Sequence, residues 1–479
     1  MTTSGNPPGI GEAAREERRY HVPPGSPWAN AWKVFGGVGA LGMLVAAYGY
    51  KTDPARFPYS YLYAFYVALS LALGGLFFVL VQYATKASWG VTSRRVAELF
   101  MRPMQILVFL VIPLVLTMPR LFPWMGATHE TELSRGDGTP PASPEHGRTS
   151  NATAENAAVP HETLSVEIEQ ERGFPAREPT GLREPPIPDP KRAEAAEESA
   201  EQRIVEHKRF FLNRWFLVVR LLAYFAIWSW LSARYFRWST EQDETRAVAN
   251  TALAQSFSPV AILLFGFSIT FFAFDWLLSL NATWYSTIFG VYIFAQIALF
   301  HMASLIVATL LLRRSGLLGD AVNVEHYHDM GKLLFGWIVF WSYIAFAQFF
   351  LTWYSNIPDE LVWYHQRWGD NGGTWKGVTL ALIGFHFFVP FWFLMSRNVK
   401  RRLPLLAAGA TCMIVMHVVE AYWLVMPVFG RLQPNIVDLG CLLGVVGTYL
   451  SAVLYGIRDV ALVPIGDPRL ERSLSFENA

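Results

Sequence analysis

Along the 479-residue chain, long apolar stretches alternate with short polar ones. Ten stretches of about 20 apolar residues stand out, the number needed to cross roughly 30 Å of hydrocarbon at 1.5 Å per residue. They cover 30–50, 59–84, 103–122, 210–236, 259–280, 287–312, 333–354, 375–396, 404–426 and 436–456. All are too long for strands, and a helix satisfies its own backbone groups in lipid. The pattern therefore predicts an all-α integral membrane protein with ten transmembrane helices. Residues 30–125 hold helices 1–3 and 207–457 hold helices 4–10, with polar segments at 1–29, 126–206 and 458–479. Spans 2–5 laid beside spans 6–9 show weak repetition. YFAIWSWLSAR (224–234) aligns without gaps with FFVPFWFLMSR (387–397), and Asp275 falls opposite Glu420. The expected architecture is two four-helix bundles flanked by single helices.

Composition sharpens this picture. Hydrophobic residues make up 52% of the chain and charged residues only 16%, against about a quarter charged in soluble domains. With 39 Lys+Arg against 38 Asp+Glu, the chain is neither a basic nucleic-acid binder nor an acidic disordered protein. The 81 positions of 126–206 hold 17 acids, 8 bases and ten prolines. Such a segment cannot bury enough apolar area to offset the entropy of ordering. It is expected to be a disordered insert with a short helix near 193–206. No apolar core of a signal peptide occurs in the first 27 residues, so the first span is expected to start insertion.

Basic residues set the expected orientation. With the N-terminus inside, 21 fall on that side, including Lys86, Arg94, Arg95, Arg102, Arg397, Lys400, Arg401 and Arg402. This places both termini in the cytoplasm and 126–206 in the periplasm, in a bacterial inner membrane. Of the basic residues, Arg220 alone lies well away from either end of a span.

Charged side chains within a membrane usually face a protein interior and mark pathways or pairs. Arg220 and Asp275 sit at similar depth on successive spans and could pair. His417 and Glu420 are i, i+3 on one helix face, with His386 at comparable depth on the preceding span. A carboxylate beside a histidine can accept and pass a proton near neutral pH. The alternative is a pair that only holds helices together. We take Glu420, His417, His386, Asp275 and Arg220 as the candidate proton relay. The single histidines on three spans, His301 among them, do not match the spacing of a stacked two-haem site, although one haem between His386 and His417 stays open. Cys412 and Cys441 are too few for an iron–sulfur cluster, and no C-x-x-C-H motif occurs; neither a metal site nor a covalently bound cofactor is expected. Aromatic residues at span ends, such as Tyr59, Tyr61, Tyr63, Trp284, Tyr285, Trp353 and Tyr354, suit interfacial belts or the stacking of a quinone ring. The loop NIPDELVWYHQRW (356–368), with its adjacent acids and His365, is either solvated or a place where protons are collected.

Three strings carry a resemblance: FDWLLSLNATWYSTIFGVYIF (274–294), AFAQFFLTWYSNIPDE (345–360) and SWGVTSRRVAELF (88–100). They resemble the NrfD-like, polysulfide-reductase-type membrane subunits, in particular the F subunits (ActF type) of bacterial alternative complex III. That resemblance implies a subunit of a quinol:cytochrome c (or other acceptor) oxidoreductase without a redox centre of its own. Its implied role is structural and proton-conducting; such subunits are commonly labelled quinone-binding, which makes quinone or menaquinol the candidate ligand. It also implies partners: a sister NrfD-like membrane subunit, subunits bearing iron–sulfur clusters and haem c, and membrane lipids. The 126–206 insert is longer than the family pattern. Two other functions compete: the quinol-oxidising anchor of a molybdopterin or iron–sulfur oxidoreductase, and a secondary transporter. The latter is disfavoured because no span shows the paired Gly/Pro break of a split helix.

Overall fold

The structure, a computed structural model, describes residues 20–125, 203–204, 206–369 and 373–477. Apart from 203–204 and 206, the insert and its expected short helix lie outside the described residues. All regular structure among the described residues is helical. Among the described residues nine helices are long and apolar enough to cross a membrane, or ten if one bent pair is taken as a single span. The chain is a multi-pass, all-α membrane protein.

The first two spans are α1 (Pro27–Thr52) and α2 (Phe57–Ala84). The third is made of α3 (Val91–Met101), α4 (Met104–Leu110) and α5 (Ile112–Leu121). Next come α6 (Arg214–Thr245), α7 (Val248–Trp276), α8 (Phe289–Arg314) and α9 (Val324–Ser355). A surface helix, α10 (Pro358–Trp368), was not anticipated from the hydropathy. The eighth span is α11 (Lys376–Leu382), a π-helical turn Ile383–Phe388, and α12 (Val389–Met395). A short α13 (Arg397–Arg401) leads into α14 (Leu403–Val425), followed by α15 (Ile436–Gly456) and a short α16 (Leu470–Leu474).

Two rings of four helices result. α2, the third span, α6 and α7 form bundle one; α8, α9, the eighth span and α14 form bundle two, with α2 also packed on α8 and α14. The two single helices at the ends of the chain meet each other. Gly39, Gly42 and Gly49 of α1 lie against Gly444, Gly447, Thr448 and Val437 of α15, and a Cβ at Gly42 would come 2.2 Å from the Gly444 nitrogen. Small residues allow such backbone contact in lipid, where packing rather than the hydrophobic effect joins helices. Gly42→Leu is expected to force α1 off α15 and to destabilise the fold by about 1–3 kcal/mol, read as a lowered thermal unfolding midpoint in detergent.

The third span departs most from the sequence pattern. It was expected from residue 103, but the chain is helical from Val91 and bends by 54° between Leu110 and Ile112. Pro103 and Pro113 flank α4; proline lacks the amide hydrogen and clashes with the preceding turn. A broken span is therefore present where none was expected. Within α3, Arg94 and Arg95 are fully buried rather than facing the aqueous side. Arg94 pairs with Glu98 (3.1 Å) and Asp467 (2.8 Å), and Arg95 with Glu98 (2.8 Å) and Asp243 (2.7 Å). Hydropathy read this stretch as a loop because the charges cancel only in three dimensions.

The segment 457–476 crosses one end of the helices, here termed the tail face. Ser473 Oγ donates to the Trp89 carbonyl (2.9 Å), and Asn323 Nδ2 donates to that of Phe476 (2.9 Å). Burial opposes ionisation of Asp467, but the Arg94 and Arg469 guanidinium groups hold its carboxyl down at about 2. The opposite end, the loop face, carries 53–56, 281–288, α10 and 429–435. There Arg56 donates to Asp438 (Nε 3.0 Å, Nη2 2.7 Å), which also accepts from Ser60 Oγ (2.6 Å) and Tyr422 (3.0 Å).

Candidate functional site

Bundle two encloses a carboxyl group. Glu420 of α14 is completely buried. Its Oε1 accepts from the Tyr292 hydroxyl of α8 (2.6 Å) and the Trp341 indole of α9 (2.9 Å). Its Oε2 lies 3.3 Å from Nδ1 of His386 without hydrogen-bond alignment. His386 sits in the π-helical turn and stacks on Trp341 (centroids 4.2 Å apart). A π turn inserts one residue and rotates the following face; such turns recur at functional sites. His417, one turn from Glu420, stacks on Phe300 of α8 at 4.1 Å. The Tyr66 hydroxyl of α2 donates to Gln296 Oε1 (2.7 Å), and Tyr66 lies 5.7 Å from the His417 ring. All four ring nitrogens of His386 and His417, with Glu420 Oε2 and Gln296 Nε2, lack a protein hydrogen-bond partner. Buried polar atoms in such numbers are unusual, and internal water is what commonly satisfies them. The arrangement is a protonatable group among neutral donors, on five different spans.

Bundle one places its carboxyl at the equivalent position but treats it differently. Asp275 of α7 accepts two hydrogen bonds from Arg220 of α6, both 2.8 Å, and a third from Tyr224 (2.7 Å). The Arg220 guanidinium also lies 4.1 Å from the Phe211 ring and 4.2 Å from the Phe216 ring. This bidentate pair has its charges matched and its oxygens satisfied. In the repeat alignment Arg220 corresponds to Ile383, so bundle two has no cation at this place. The five sequence-predicted residues thus fall into two separate clusters of unlike character.

The remaining predicted residues lie apart. His301 packs between Phe78 and Phe100 (5.9 and 5.7 Å), with its Cβ against Gly74. His365 is exposed on α10, and the Asp359 side chain lies outside what is described. Tyr59, Tyr61, Tyr63 and Trp284 are core residues, while Tyr285, Trp353 and Tyr354 are exposed as an interfacial belt requires. A groove of about 290 Å³ on the loop face is lined by Phe274, Leu278, Trp284, Tyr285 and Ser286, with Lys208 at its rim.

Sequence reasoning missed Arg367 of α10. It is 1% exposed, and its guanidinium carbon lies 3.7 Å from the Trp363 ring and 5.1 Å from the Trp423 ring. It donates to the carbonyls of Trp363 and Leu424, both 2.8 Å, while Nε has no partner. Burial lowers its pKa to about 9, against the opposing influence of the Tyr292 and Tyr364 phenols, so it is cationic at neutral pH. Desolvated cation–π contacts of this kind contribute about 2 kcal/mol or more. The signal available in the sequence was the spacing of Trp363 and Arg367, four apart on one helix face.

Among the described residues, no group of three or more His, Cys, Asp or Glu side chains is placed to hold a metal ion. Neither a known family model nor a curated protein matches the chain.

Proposed function

We propose that this chain is the membrane subunit of a quinol-oxidising respiratory complex of the alternative complex III type, where it scaffolds its partners and moves protons through bundle two. The observation that carries this reading is the asymmetry between the two carboxyl groups. Asp275 is held by a bidentate arginine and by Tyr224, so both of its oxygens are occupied. Glu420 has no cation within ion-pair distance among the described residues apart from the imidazole of His386, and two histidines with open ring nitrogens adjoin it. A group that must change charge state without large rearrangement needs that setting. The three family-like strings support the quinol assignment, and the groove beside Tyr285 offers an apolar, aromatic surface to a quinone or menaquinol. By this reading the complex sits in a bacterial inner membrane beside a sister NrfD-like subunit and iron–sulfur and haem c subunits.

Isolating the chain from native membranes with its bound partners tests the proposal. The expected assembly shows c-type haem absorbance, iron–sulfur signals and menaquinol-driven cytochrome c reduction. A molybdopterin subunit in place of haem c selects the oxidoreductase-anchor alternative. A chain that purifies without any redox partner and couples protons to a solute overturns the proposal in favour of a transporter, the reading that the broken third span favours.

A further inference from the structure

A thread of polar groups runs from the loop face toward Glu420. Ser286 Oγ, partly exposed, donates to Gln348 Oε1 (3.3 Å), and Gln348 Nε2 donates to the Tyr364 hydroxyl (3.3 Å). Tyr364 lies three residues before Arg367 on α10, and Tyr292 donates to Glu420. Joined between Tyr364 and Tyr292, the two halves of this thread would connect the carboxyl to the surface. A buried cation, Arg367, is bonded to Leu424, one turn nearer the loop face on α14 than Glu420. Its position is over-determined. Trp363 and Trp423 cover its faces; Trp363 stacks on Trp284 at 5.0 Å, and the Trp423 indole donates to Thr379, which in turn donates to the Arg367 carbonyl. Its bond to the Leu424 carbonyl ties it to the last turn of α14, the helix that bears Glu420. A fixed arginine in a narrow low-dielectric passage repels protons and other cations.

We propose that Arg367 is an electrostatic barrier that closes the loop-face end of the Glu420 site to protons, so that Glu420 exchanges them with the tail-face side alone. The barrier rests on the reading of Glu420 as a proton-exchanging group, and it makes Arg367 a positioning residue rather than a catalytic one.

Passive proton permeability of liposomes containing the purified full-length chain, read with an entrapped pH dye, tests the barrier. The native chain is expected to be tight. Arg367→Gln should raise the proton leak on the order of tenfold, Arg367→Lys should stay near native because it keeps the charge, and Arg367→Gln with Glu420→Gln should be tight again. A folded Arg367→Gln chain as tight as native overturns the barrier even if Glu420 proves essential for turnover. A leak that persists in the double variant supports the barrier but removes Glu420 from the path, which is the failure of the relay reading alone. Should Arg367→Gln not fold, the native chain still decides. In vesicles of one orientation, the infrared carboxyl band that disappears in Glu420→Gln should respond to a pH jump on the tail face and not on the loop face. A response from the loop face overturns the barrier.

Discussion

Glu420→Gln is expected to lower proton-linked quinol turnover of the assembled complex by about 10²- to 10⁴-fold, the usual contribution of a positioned acid–base group. Glutamine keeps an oxygen to accept from Tyr292 and Trp341 at the places now held by Oε1, so the bundle should assemble with normal subunit content. What it loses is the exchangeable proton. Asp275→Asn should behave in the opposite sense. Arg220, largely enclosed with its side chain 11% exposed, would keep one amide acceptor in place of its bidentate carboxylate, a loss of about 1.5–3 kcal/mol, so assembly should fall while the turnover of each surviving complex is kept. Steady-state quinol:acceptor activity, normalised to subunit content, separates the two. Assembled Glu420→Gln complex with native turnover and proton yield would return Glu420 to a purely architectural role.

The largest stability effect is expected at Glu98→Ala. Glu98 is the shared acceptor of Arg94 and Arg95, all three essentially without solvent exposure. Removing it leaves two guanidinium groups in a dry interior, each with one remaining carboxylate, Asp467 for Arg94 and Asp243 for Arg95. Breaking a buried pair in this way costs about 3–5 kcal/mol. Denaturant unfolding in detergent should show a clear fall in midpoint, and limited proteolysis should cut the 457–476 segment sooner, since Arg94 also anchors Asp467. A Glu98→Asp variant should recover part of the loss. Native unfolding behaviour in Glu98→Ala would mean that water reaches the network.

These effects could be foreseen to different degrees from the residues alone. Hydropathy located the spans because lipid requires about 20 apolar residues in a row. It placed α15 at 436–456, the very limits found, but began α6 four residues early and α7 eleven residues late. Charge hid α3, because Arg94, Arg95 and Glu98 read as an aqueous loop until Asp243 and Asp467, distant in sequence, supply the missing partners. Arg220 and Asp275 were legible as a pair because Arg220 is the one basic residue deep within its span and Asp275 the lone acid of the next. Around Glu420 the histidines were legible, but Tyr292, Trp341, Gln296 and Tyr66 were not. They look like ordinary span residues, and only the ring order of the bundle and the π turn at His386 bring them together. Arg367 was passed over inside the loop string 356–368: its spacing from Trp363 signals one stacking partner, but Trp423 and the Leu424 carbonyl come from a different span.

The glycine contact between α1 and α15 also constrains how the protein is made. α1 ends at Thr52 and α15 begins at Ile436, so at ordinary translation rates the first span waits on the order of a minute for its partner. During that time its glycine stripe faces lipid or whatever insertion factor is at hand. Closing the stripe reports that the last span has arrived, and a ribosome stalled before Ile436 leaves it open for a membrane protease to find.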